Sequence, residues 1–235
     1  MSGLDVKGGN ACCVIAASRT GYEGLAQQLE ELTGVKFAYI DAREELTLTH
    51  LEELQPRYVF FPHWSYLIPA EIHEQFECVI FHMTDVPFGR GGSPLQNLVA
   101  RGIYQTKLTA LRCVTELDAG PVYLKRDLCL HGRAEEIYRR AGLLICDMIV
   151  EIVRYHPEPQ AQKGEVVSFR RRTPAESDIR NLEDLQQVFD YIRMLDAEGY
   201  PKAFLETEYL RLEFSRASEQ AGCLLADVRI YRKPS

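Results

Sequence analysis

The chain has 235 residues, 46% hydrophobic and 26% charged, with a formal net charge of −7 and a pI near 5.5. That length accommodates one ordinary domain, or a domain with a small appendage, and a core that needs no metal or disulfide to hold it. The acidic balance argues against a general nucleic-acid binder, since phosphate contacts need clustered Lys and Arg and the one basic run, Arg170-Arg171-Arg172, is followed by Glu176 and Asp178.

Seven cysteines form no C-x-x-C pair, and an odd number without a framework fits a reducing cytosol. Met1–Asn10 lacks a basic segment and a long apolar core, so no signal peptide is expected. No stretch approaches the roughly 20 apolar residues that span a bilayer. A cytoplasmic protein without membrane contact is the expectation.

The first half alternates strand and helix signals, the pattern of a mostly parallel sheet with helices on both faces. Ala11–Ala17 reads as a buried strand, Tyr22–Leu32 as a helix stopped by Gly34, and Lys36–Ile40 as a second strand. Thr47–Leu54 is a short helix, Tyr58–Phe61 a third strand, Ala70–Phe76 a helix, and Cys78–Phe81 a fourth strand delivering His82. Asp85–Pro94 is rich in Gly and Pro and is predicted to be a loop, and Pro94–Arg101 a helix. Leu108–Glu116 and Val122–Leu130 are predicted strands about the turn Asp118-Ala119-Gly120-Pro121. Ala134–Val153 is the longest helical pattern. His156–Gly164 has linker composition; beyond it a helix at Leu182–Leu195 and strands at Ala203–Glu206, Tyr209–Ser215 and Cys223–Tyr231 are expected. The resulting division is a first domain over 1–155, a linker over 156–165, and a small α+β or β domain over 166–235 packed on the first.

Chemistry concentrates in two segments. Phe81–Asn97 places His82 at the carboxyl end of a strand before a Gly/Pro loop, where open α/β sheets bind ligands. Glu116–Pro121 carries Asp118 and Gly120. Taken singly, His82 is as readily a core histidine, and the Asp118 turn an ordinary Asx turn.

Taken together, the segments resemble the formyltransferase family that uses 10-formyltetrahydrofolate, whose members include methionyl-tRNA, glycinamide ribonucleotide and amino-sugar formyltransferases. The family pattern is N-x-H-x-S-L-L-P, then R-G-x-x-P, and later D-x-G. His82, Pro87, Arg90-Gly91, Pro94, Gln96, Thr106, Thr109, Asp118 and Gly120 fall in register. The resemblance covers roughly residues 11–150, with a fainter echo at 171–179 and 192–201. It implies a Rossmann-like sheet on which His82 and Asp118 face one pocket. Asp118 would orient or deprotonate the acceptor amine and also contact the cofactor, while His82 would serve the developing oxyanion. Trp64, Tyr66, Leu67 and Ile68 match a loop that cradles the pterin. Arg19, Thr84, Asp85, Arg90, Gln96 and Asn97 are candidate substrate contacts.

One departure bears on activity. Where the family places a catalytic Asn, two residues before the His, this chain has Ile80, and the S-L-L-P stretch is Thr84-Asp85-Val86-Pro87. Thr84, Gln96 and Asn97 are the candidates to replace the lost donor. The expected function is therefore N-formyl transfer to a small amine, foremost an amino sugar. The alternatives are a formyltransferase-fold protein that binds folate or a sugar nucleotide without transfer, one that carries out different acyl or hydrolytic chemistry, and a methionyl-tRNA formyltransferase. No metal ligand set is present, and a homodimer is compatible with this reading.

Overall fold

The computed structural model describes residues 12–233. The N-terminal segment expected to lack a signal peptide lies outside the described residues. Two compact units interleave along the chain. One comprises residues up to Phe81, Ala110–Leu124 and Leu144–Gln162; the other comprises His82–Thr109, Lys125–Leu143 and Lys163 onward.

The first unit is organised on a sheet with strand order β2-β1-β3-β4-β6-β7. Its parallel part contains β1 (Cys12–Ala17), β2 (Lys36–Ile40), β3 (Pro56–His63) and β4 (Cys78–His82). The turn between β6 (Gln105–Arg112) and β7 (Val122–Cys129) carries Asp118. Alternate residues of β1 point to opposite faces, yet Cys13 through Ala17 are all buried, so both faces of the strand are covered. On one face Val14, Ala16, Ile40, Val59, Phe61 and Cys78 gather with Leu51 of α2 (Leu48–Leu54) and Ile72 of α3 (Ala70–His73). Thr47, predicted as the first residue of α2, is its cap: its hydroxyl accepts from the His50 amide at 3.2 Å. Helix α1 (Leu25–Thr33) ends at Gly34 as expected, in the left-handed conformation.

The second unit corrects one expectation. The Gly/Pro segment after His82 contains a short strand, β5 (Phe88–Gly91), paired in parallel with β8 (Val167–Phe169). A loop was expected because glycine has low intrinsic strand preference. Here glycine is what permits the pairing. Gly91 lies at φ 106°, and a Cβ there would stand 2.2 Å from the Phe169 carbonyl oxygen. Helix α4 (Pro94–Val99) follows with proline at its first turn. The C-terminal part of this unit has α6 (Leu185–Arg193) and an antiparallel sheet ordered β11-β10-β9, from β9 (Ala203–Glu206), β10 (Leu210–Gln220) and β11 (Cys223–Arg232). The longest helix, α5 (Ala134–Tyr155), runs through the 134–153 pattern.

Candidate functional site

The predicted residues fall into two groups, one in each unit. In the first unit, Asp118 sits in the β6–β7 turn with φ 53°, in the left-handed region that short polar side chains tolerate best. It is 8% exposed. A buried aspartate held in a sparsely populated conformation persists only where its surroundings over-determine it. Two features do so here. A Cβ at Gly120 would stand 1.8 Å from the Arg112 carbonyl oxygen, so only glycine lets the turn close on β6. The Gln162 amide nitrogen donates to the carbonyl oxygens of both Asp118 and Gly120, each at 2.8 Å. Gln162 belongs to the segment whose composition suggested a linker; Gln160 beside it also pairs with Val122. Nothing in the composition of 156–165 signals this role, because the partners are distant carbonyls.

Trp64, expected at a cofactor slot, packs edge-on against Phe61, with centroids 6.0 Å apart, and against Tyr66 at 5.4 Å. Its indole Nε1 is buried without a hydrogen-bond partner. Ile68, Ile80 and Cys113 are partly buried on the same core layer. Burial, then the Asp118 carboxylate, pushes the Cys113 thiol up to about 11, so the sulfur is protonated and acts as apolar surface. Leu67 is 84% exposed and Tyr66 is exposed, with the Arg43 guanidinium 5.4 Å from the Tyr66 ring centroid. Arg19 is half-buried beside His63. Desolvation, aided by the Arg19 charge, lowers the His63 pKa to about 4, keeping this imidazole neutral. Burial likewise pushes the Tyr22 phenol up to about 12.

In the second unit His82 is 8% exposed, and its Nε2 lies 2.8 Å from the Gly89 carbonyl oxygen. A carbonyl only accepts, so Nε2 carries the hydrogen of this bond. The three candidate replacement donors are all engaged with other groups. The Thr84 hydroxyl donates to the same Gly89 carbonyl at 3.3 Å. The Gln96 amide donates to the Tyr138 hydroxyl and the Met194 carbonyl, and the Asn97 amide to the carbonyls of Gly92 and Arg170. These residues brace the second unit. Asp85 pairs with Lys125, which also donates to the Val86 carbonyl at 2.6 Å. Arg90 lies on β5. Two cavities of this unit, of about 540 Å³ and 340 Å³, are lined by none of the predicted residues. Among the described residues no cluster of three His, Cys, Asp or Glu side chains is placed to hold a metal ion, and no helix is long and apolar enough to cross a membrane.

A solved structure described as methionyl-tRNA formyltransferase from Clostridium thermocellum is 47% identical to this chain. It superposes with a TM-score of 0.92, covering 95% of this chain and 100% of that one. The chain belongs to the formyltransferase family. Residues 174–231 of this family member also match the family model for the C-terminal domain of methionyl-tRNA formyltransferase. Curated methionyl-tRNA formyltransferases from Wolinella succinogenes and Rickettsia typhi are 24% and 25% identical over 183 and 186 residues, which is 75% and 72% of this chain. The chain spans about 60% of the length of these relatives. A sugar N-formyltransferase from a Shewanella species shares the fold at 14% identity, with a TM-score of 0.72 over 90% of this chain and 99% of that one.

Proposed function

We propose that this formyltransferase moves a formyl group from 10-formyltetrahydrofolate to the amine of methionyl-tRNA. The observation that carries this reading is the 47% identity, over nearly the whole chain, to a protein described as a methionyl-tRNA formyltransferase. It revises the sequence-based preference for a small amine. That preference rested on the small C-terminal domain and on net charge, and net charge averages over the surface and says nothing about a local basic patch.

The donor set of the first unit fits a folate. The buried, unpartnered Trp64 Nε1 and the partly buried Ile68, Ile80 and Cys113 suit a flat heteroaromatic ring with polar edges. Bound there, the folate supplies a formyl group on nitrogen that an amine can accept. The acceptor amine must be neutral to attack, and the Asp118 carboxylate is the group assigned to receive its proton. The rigid turn around Asp118 fixes that carboxylate before the substrate arrives, which lowers the reorganisation required in the reaction. At His82 the Nε2 hydrogen bond to Gly89 orients the ring. With Ile80 in place of the family Asn, and Thr84, Gln96 and Asn97 bonded elsewhere, the oxyanion lacks the family's amide donor. Loss of one oxyanion donor costs about 10²–10³ in rate, so slow transfer is expected.

A second reading, transfer to a small amine such as an amino sugar, is favoured by the net charge of −7. The two readings separate in one assay. The protein is given 10-formyltetrahydrofolate with either methionyl-tRNA or nucleotide-linked amino sugars, and formylated product is read by mass spectrometry. Product on methionyl-tRNA alone supports the first reading; product on an amino sugar alone replaces its acceptor. Folate binding with no product from either would point to a family member that binds without transfer. His82→Ala and Asp118→Asn, each folded, should remove most turnover.

A further inference from the structure

The chain has one tryptophan, and the single polar atom of its side chain has no partner. Among the described residues two buried side-chain donors lack a hydrogen bond, Trp64 Nε1 and Arg193 Nη2. Arg193 directs its other two nitrogens to Asp190, Leu130 and Gly132, so its idle Nη2 belongs to a group already held. An indole has only one N–H, and leaving it buried and unpaired costs stability. Its orientation is also unusual. Trp64 as a whole is only partly buried, so some of its ring reaches the surface. An indole at a surface ordinarily turns its nitrogen to water and its carbons to the core. Here the nitrogen is the covered end.

The neighbours of that nitrogen point to its use. Trp64 directly follows β3, and its ring packs edge-on against Phe61, with centroids 6.0 Å apart. Phe61 stands beside Ile80 in the parallel pairing of β3 with β4, and neighbouring residues of paired strands share a face. Phe61 therefore links the indole to Ile80, the position at which the family carries its amide donor. Cys113, packed on the same core layer, feels the charge of Asp118. An idle donor thus lies at the carboxyl ends of β3 and β4, where open α/β sheets bind ligands, close to the position that lost one.

We propose that the Trp64 indole N–H donates to the formyl oxygen, and to the negative charge that gathers there as the amine adds, in place of the family's amide. This rests on the folate-dependent formyl transfer proposed above and holds for either acceptor. In the transfer the amine nitrogen bonds to the formyl carbon, and the bond from that carbon to the folate nitrogen breaks. The proton lost by the amine ends on the folate nitrogen by way of Asp118. The indole lends a hydrogen bond and keeps its own proton throughout, which offsets part of the loss expected from Ile80. Nε1 is closed to solvent, so a bound folate meets it only once a neighbouring side chain moves. Tyr66 is placed to do so: it is exposed and sits edge-on against the indole, with centroids 5.4 Å apart.

Because Trp64 is the sole tryptophan, the full chain gives one indole N–H signal in a proton–nitrogen correlation spectrum, and no substitution is needed to read it. Two probes are compared, a formylated dideazafolate and the same dideazafolate without the formyl group. The formylated probe should move the indole proton downfield of its position with the other, as a new hydrogen bond does. Equal positions with the two bound probes would overturn the proposal. A chain that binds neither, with the signal unmoved by both, would instead remove the folate reading and this proposal with it. Trp64→Phe keeps an aromatic ring and removes the N–H. It should lower kcat by about 10²–10³ with little change in the KM of the formyl donor. A raised KM at unchanged kcat would assign the N–H to ground-state binding of the pterin and refute the catalytic role. Ile80→Asn should recover more rate in the Trp64→Phe background than it adds to the parent, since both donors serve one oxygen; equal effects in the two backgrounds would refute that shared role. If Trp64→Phe does not fold, as read by circular dichroism, the spectra of the parent decide alone.

Discussion

Gln162→Met tests whether the Asp118 turn is held from outside. Methionine keeps the length of the side chain and removes the amide that donates to the Asp118 and Gly120 carbonyls at 2.8 Å. Each neutral hydrogen bond contributes about 0.5–1.5 kcal/mol net, so the two together are worth about 1–3 kcal/mol of local stability. That is comparable to the cost, of order 1–3 kcal/mol, of holding a non-glycine residue in a sparsely populated backbone conformation. Without Gln162, therefore, Asp118 at φ 53° is free to relax towards ordinary turn geometry. Because about 1.4 kcal/mol is tenfold in rate, turnover should fall about 10-fold to 100-fold. If Asp118 acts on the bound amine rather than in ground-state binding, the loss should appear in kcat with little change in the KM of the formyl donor. The assay is steady-state formyl transfer beside thermal melting, with Gln160→Ala as a neighbouring control. Unchanged kcat and melting temperature in Gln162→Met would refute the bracing role, and a fall in kcat equal to the control's would refute its specificity.

Gly120→Ala should be more damaging, since its methyl group would stand 1.8 Å from a backbone oxygen that cannot move without displacing β6; a melting temperature within 1 °C of the parent would contradict the packing of this turn, on a scale where about 1 kcal/mol shifts a domain of this size by roughly 2–4 °C. Ile80→Asn exchanges core packing for a possible oxyanion donor. It should lower stability by about 1–3 kcal/mol and raise transfer rate if the pocket keeps the family's geometry; an intact fold with no gain in rate would show a site rebuilt around isoleucine. His63 carries a stability term with a definite sign. Its folded pKa, about 4, lies below the 6.5 of an unperturbed imidazole. The unfolded chain thus binds the extra proton, and the stabilisation is complete above pH 6.5 and lost as pH falls from 6.5 to 4. The loss amounts to up to about 3 kcal/mol. Urea unfolding of the parent and His63→Gln at steps across this window should show the parent losing more; parallel curves would remove His63 as the source.

Much of the architecture follows from sequence alone because its signals are local. Strand–helix alternation, the helix after Thr47, the stop at Gly34 and the helical stripe of 134–153 depend on residues within a few positions of one another, and each became the expected element. The positions of His82, at the end of β4, and of Asp118, in a turn before a glycine, were readable for the same reason. Tertiary structure decided what those signals could not encode. Gly91 reads as a breaker in isolation and becomes a strand residue only because the Phe169 backbone comes too close for any side chain. Thr84, Gln96 and Asn97 are competent donors by composition, but their hydrogens go to carbonyls supplied from elsewhere in the chain, as far along as Met194 and Arg170. Gln162, in a stretch with linker composition, holds the buried aspartate because a hydrogen bond needs only proximity in space. Composition determines which groups can donate, accept or bury apolar surface; which partner each one meets is a property of the folded chain.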